Sequence, residues 1–121
     1  MTAKRQDRVF IEDMLTRITM IEDFTVPGRD IFMQSKMMQE AVIRSLEVIG
    51  EASRNISDVV RETNTDIAWR QIIAFRNFAA HVYWDIKLDR VWSIISQDLP
   101  TLKSQLLTLL DSLPADKEDA P

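Results

Sequence analysis

The 121-residue chain contains no cysteine. That excludes disulfides and thiolate metal sites, and it fits a reducing cytoplasm. Glycine occurs twice and proline four times. So few turn formers argue against a β-sandwich or barrel, with its many short strands and tight turns. No charge-free stretch approaches the ~18 apolar residues of a membrane span. The opening MTAKRQDRVF has no apolar run of the kind a signal peptide carries. The expectation is a cytoplasmic protein with no membrane partner. Positive charge is also scarce: 15 Lys and Arg stand against 19 Asp and Glu, a net charge of −4. A general nucleic-acid binder needs a basic face. If this chain acts on RNA, its basicity must be local.

Other chemistries lack their parts. The single histidine, His81, could pair with Asp85 at i,i+4, yet no clear third metal ligand follows. Gly28 and Gly50 stand alone, so no glycine-rich phosphate loop exists. Ser93 and Ser96 fall on a predicted helix, and there is no Gly-x-Ser-x-Gly turn. We expect neither a metal nor a cofactor.

What the chain does have is helical periodicity. Residues 7–24 place Phe10, Met14 and Ile21 along one face, with Ile11, Leu15 and Ile18 beside them. Val26-Pro27-Gly28 breaks the chain, and a short helix follows over Asp30–Gln34. Over 36–56, Val42, Leu46, Ile49, Ser53 and Ile56 alternate spacings of four and three, the clearest helix present. Gly50 inside it costs about 1 kcal/mol against alanine, so its reading is close approach of a second helix. Ser57 can cap a short helix to about Glu62, and Asp66 one from Ile67 to Ala80. That second helix would bury Trp69, Ile72, Ile73, Phe75 and Ala79. YWDIK (83–87) reads as a turn. Leu88–Asp98 reads as a helix with Val91, Trp92 and Ile95 inward, and Pro100 restarts another carrying Leu102, Leu106, Leu109 and Leu113. The fold class is therefore all-α: a bundle of four main helices with one or two short ones, a single domain over 1–113 and an acidic disordered tail over 114–121.

RNFAAHVYW (76–84) gathers the only histidine and the only tyrosine behind an arginine. Metal-free RNA cleavage needs a base to take the ribose 2′-OH proton and an acid to protonate the leaving 5′-oxygen. Imidazole, with a reference pKa of about 6.5, can do either. Guanidinium stays cationic and can hold nonbridging phosphate oxygens. At about 100° per residue, positions 76 and 81 of a continuous helix lie about 140° apart. They meet easily only if the helix frays near Ala80, or if a second copy supplies its own pair. One histidine cannot readily be base and acid in one step, which also points to a two-fold dimer. A plainer reading stands beside this: a helix-terminal histidine favoured by the helix dipole, and a tyrosine covering the bundle end.

The chain resembles the HepT-like toxins of the HEPN superfamily, which are encoded beside minimal nucleotidyltransferase antitoxins. DRVFIEDML (7–15), EAVIRSLEVIGEASRNIS (40–57), WRQIIAFRN (69–77) and LDRVWSIISQDLPTL (88–102) are similar to family segments in the same order, and RNFAAHVY fits the Arg-x4-His-x-Tyr signature. The resemblance implies a HEPN-type helical bundle, a homodimer, and an RNase toxin of a prokaryotic type VII toxin–antitoxin pair. It maps Arg76 and His81 onto the catalytic pair. Asn77 becomes a site-organising or substrate-contacting residue, and Tyr83 the acceptor of AMP from the cognate nucleotidyltransferase. Many relatives have glycine where this chain has Val82, a residue that resists positive φ. Arg44, Arg54 and Arg70 are candidates for the local basicity, with Arg44 also able to pair with Glu40 at i,i+4. The alternative function is a non-catalytic helical interaction module that partners a nucleotidyltransferase.

Overall fold

A computed structural model describes residues 5–82 and 87–113. Helix α1 runs Arg5–Phe24, α2 Arg29–Gln34, α3 Lys36–Arg54, α4 Asp58–Thr63, α5 Trp69–Val82, α6 Leu88–Ser93 and α7 Leu99–Ser112, with a π-helical turn over Ile94–Asp98. The chain is all-α, with no strand among the described residues. The bundle is built around α3. It packs against α1 and against α5, while α7 lies on α1 and α2 covers α3.

Periodicity explains this arrangement. Ile11, Met14, Ile18 and Ile21 give α1 a fully buried stripe, and Phe10 and Leu15 flank it half-buried. Val42, Leu46, Ile49, Ser53 and Ile56 are buried as their spacing requires. Ile72 and Phe75 of α5 and Leu102, Leu106 and Leu109 of α7 complete the same core. The large apolar side chains left exposed, among the described residues, are Val9, Val26, Ile31, Met37 and Leu107.

The chain breaks have local causes. Gly28 takes φ 100° at the start of α2, backbone that favours glycine. The Ser35 hydroxyl accepts from the Met38 N–H at 3.1 Å and caps α3. α3 ends at Arg54, two residues short of Ile56, where Asn55 closes its last turn.

Four local expectations are corrected. Ser57 stands at the N-cap of α4, but its side chain makes no capping bond. Its hydroxyl donates instead to Asp7 at 2.6 Å, and its N–H donates to the same carboxylate at 2.7 Å. Asp7 is buried by this contact, which ties the first turn of α1 to the start of α4. Helix α5 starts at Trp69, not Ile67, because Ile67 turns into the core and the Trp69 indole N–H donates to the Asn64 carbonyl at 3.0 Å. Arg44 pairs with Glu47, not Glu40. Finally, no break precedes Pro100. The Leu99 N–H donates to the Ile94 carbonyl five residues back, and helical backbone continues into α7. A proline lacks an N–H and crowds the carbonyl four residues earlier. The wider turn just before Pro100 relieves that conflict. Trp92 packs its ring against Phe32 with centroids 5.4 Å apart, so α6 is held to α2.

Among the described residues no helix is long and apolar enough to cross a membrane.

Candidate active site at the α3–α5 seam

Gly50 determines where the site lies. A Cβ added there would fall 2.9 Å from the Arg76 amide nitrogen, 3.1 Å from the Arg76 Cβ and 3.2 Å from the Ile72 carbonyl oxygen. The α3 and α5 backbones therefore touch at Arg76, and only glycine permits it. The close approach expected from the sequence is present, and the residue it seats is a candidate catalytic one.

Beside this contact lies an open groove of about 470 Å³. Phe10 and Asp13 line it from α1, Arg44, Glu47, Val48 and Glu51 from α3, and Arg76 from α5. The Arg76 Nε sits 3.0 Å from Glu51 Oε2, and both side chains are about half exposed. The same Glu51 oxygen lies 3.8 Å from Arg54 Nη1. The lining thus carries two guanidiniums and three carboxylates, so the groove is not a basic one. Of the candidate basic residues, Arg44 is in it but paired with Glu47, and Arg54 reaches it only through Glu51. Arg70 lies apart, in a second, mostly apolar groove with Arg61, Ile67 and Trp69.

Asn77 is exposed on α5 next to Arg76. His81 belongs to the backbone of α5, and its side chain lies outside the described part of the structure. The helix runs unbroken to Val82, so fraying at Ala80 does not bring positions 76 and 81 together. They stay about 140° apart around the helix. Val82 takes ordinary helical backbone, which a β-branched residue can adopt. Tyr83 and Asp85 lie outside the described residues. Among those that are described, no group of three histidine or carboxylate side chains could hold a metal ion.

A ribonuclease HepT-like family model matches residues 14–109, from the third turn of α1 nearly to the end of α7. The chain belongs to the HepT-like ribonuclease family. It is 36% identical over 106 residues to the probable ribonuclease HepT of Thermococcus cleftensis, covering 84% of this chain and 94% of the relative. A Methanocaldococcus jannaschii protein with the provisional name RNase MJ1380 is 35% identical over 108 residues, 86% of this chain and 96% of its own length. A second protein of that organism, provisionally named gamma-glutamylcyclotransferase and RNase MJ0434, is 30% identical over 117 residues. The chain spans 53% of that relative, about half its length. No solved structure matches the chain significantly. The HepT-like match contains the whole α3–α5 seam, including Gly50, Glu51 and Arg76.

Sequence reasoning singled out Arg76 and the closeness at Gly50 but missed Glu51 and Asp13. One signal was available for Glu51. It follows the glycine that marks the contact, so it had to border the helix that glycine admits.

Proposed function

We propose that this HepT-like chain is an RNase that cleaves RNA without a metal, with Arg76 and His81 as its reacting pair. The observation that carries the reading is the seating of Arg76 at an open groove by the glycine contact. In the reaction, the base removes the 2′-OH proton and the 2′-oxygen attacks phosphorus. The P–O5′ bond breaks, and the acid gives its proton to the departing 5′-oxygen. The products are a 2′,3′-cyclic phosphate and a 5′-hydroxyl. Arg76 holds the nonbridging oxygens as charge builds on them. His81 carries a proton, and Asn77 contacts or orders the substrate. Because α5 stays helical through both positions, one copy does not easily bring residues 76 and 81 to one phosphate. A two-fold dimer supplies a second pair.

The biological setting we infer is a type VII toxin–antitoxin pair in the cytoplasm. A partner minimal nucleotidyltransferase would transfer AMP from ATP to the Tyr83 hydroxyl. The phenolic oxygen attacks the α-phosphorus and pyrophosphate leaves. The added phosphate is a negative charge two residues from His81, where it repels RNA and can capture Arg76.

The deciding experiment is cleavage of RNA by the purified protein in EDTA, beside Arg76→Ala and His81→Ala. Each variant should remain folded and lose about 10²-fold or more in rate. A well-folded His81→Ala protein that cleaves as wild type does would refute the mechanism. A second reading, the non-catalytic module that pairs with a nucleotidyltransferase, is favoured by one observation: carboxylates outnumber guanidiniums in the groove lining. Under it, no variant or wild type cleaves RNA, yet the AMP transfer persists.

A further inference from the structure

We propose that Glu51 is a positioning residue for Arg76, and that α3 places this arginine twice through two consecutive residues. This rests on the RNase reading above. Gly50 sets where the Arg76 backbone sits, since its missing side chain lets the α5 backbone come against α3. Glu51 sets where the guanidinium points, through the 3.0 Å contact between Oε2 and Nε.

The position of that contact matters. Nε is the inner end of the guanidinium, and the terminal nitrogens form the fork that grips a phosphate. No second carboxylate among the described residues pairs with Arg76. A phosphate can therefore approach the Nη1–Nη2 edge while Nε stays with Glu51. Glu51 is itself held, because Arg54 approaches the same oxygen from one turn along α3. The ion pair is half exposed, so it adds little to stability. Its effect is on orientation. An arginine side chain left alone samples many rotamers, and a donor fork that must be ordered during the reaction stabilises the transition state less than one already aimed.

A carboxylate beside a phosphate site also repels RNA. That fixes the sign of the two kinetic effects. Removing the charge should help or leave unchanged the binding of RNA and harm the chemical step.

The test uses the full chain and a fluorogenic oligoribonucleotide. Glu51→Gln and Glu51→Asp are made in the wild-type and Arg76→Ala backgrounds. Glu51→Gln should lower kcat about tenfold with KM equal or lower, the pattern of an interaction exerted in the transition state. Glu51→Asp should recover part of the loss. In the Arg76→Ala background, Glu51→Gln should cost nothing further, because Glu51 acts through Arg76. An unchanged or raised kcat in Glu51→Gln overturns the proposal. So does a loss that persists without Arg76 and removes the acidic limb of the pH–rate profile, since Glu51 would then be taking the proton itself. A readout independent of cleavage is the Arg76 Nε–Hε resonance in nitrogen-15 spectra. The carboxylate 3.0 Å from Nε sets the local field at that group, so the resonance should shift in Glu51→Gln, and an unmoved resonance overturns the proposal whether or not the protein cleaves RNA. If instead Arg76→Ala cleaves as wild type does, the RNase reading has failed, and the resonance alone decides the role of Glu51.

Discussion

At Gly50 a single methyl group would separate packing from chemistry. Gly50→Ala puts a Cβ 2.9 Å from a backbone nitrogen that cannot swing away as a flexible side chain would. The helices must part, and overpacking of this kind destabilises by about 1–3 kcal/mol. Chemical denaturation should show the loss. RNA cleavage should fall further than the unfolded fraction explains, because Arg76 moves with α5. Arg76 itself was legible in the sequence from its place in RNFAAHVY. Its partner Glu51 was legible only as the residue after Gly50, because spacing rules describe neighbours on one helix and this ion pair joins two. The error at Arg44 has a different source: its own helix offers a glutamate at i−4, Glu40, and another at i+3, Glu47, and spacing alone does not choose between them; Glu47 is the one it meets. The bond of Ser57 to Asp7 spans 50 positions and left no local trace.

Among the elements, α3 could be read most fully. Its buried positions repeat without interruption, and both its neighbours pack on that repeat. The passage from α6 to α7 could not be read in the same way. An extra residue in a helical turn leaves apolar residues at plausible spacings on either side, so pattern alone does not separate a π turn from a break before Pro100. The junction of α1 with α4 offers a measurable consequence. Asp7 is buried and accepts two hydrogen bonds from Ser57. Asp7→Ala strands both donors and should destabilise by about 2–3 kcal/mol, whereas Ser57→Ala removes one bond and should cost about 1 kcal/mol. Thermal melts of the two variants should fall in that order. Equal melts would mean that water replaces the carboxylate freely.

For the whole molecule, the case for a dimer is one of catalytic geometry. Surplus apolar surface does not supply it, since the apolar faces of the described helices are mostly buried in the one core. Sedimentation at micromolar concentration should give about twice the chain mass. A monomer that cleaves RNA at full rate would remove the need for a second histidine. The partner is tested separately. Incubation with the cognate nucleotidyltransferase, ATP and Mg²⁺ should add one or more AMP units, and Tyr83→Phe should abolish the gain in mass. AMP on another residue, or full activity after modification, would exclude control through Tyr83.

The glycine contact also has a consequence in time. α3 holds one glycine in its 19 residues, so it can receive a bare backbone at one point only. That point works as a detent. When α5 docks, it clicks into a single register, and Arg76 arrives at its groove in the same movement. No folded form should exist with the bundle closed and the arginine out of place. The amide hydrogens near Gly50 and Arg76 should therefore exchange together, in one shared opening event. Gly50→Ala should blunt the detent and let the two exchange rates drift apart.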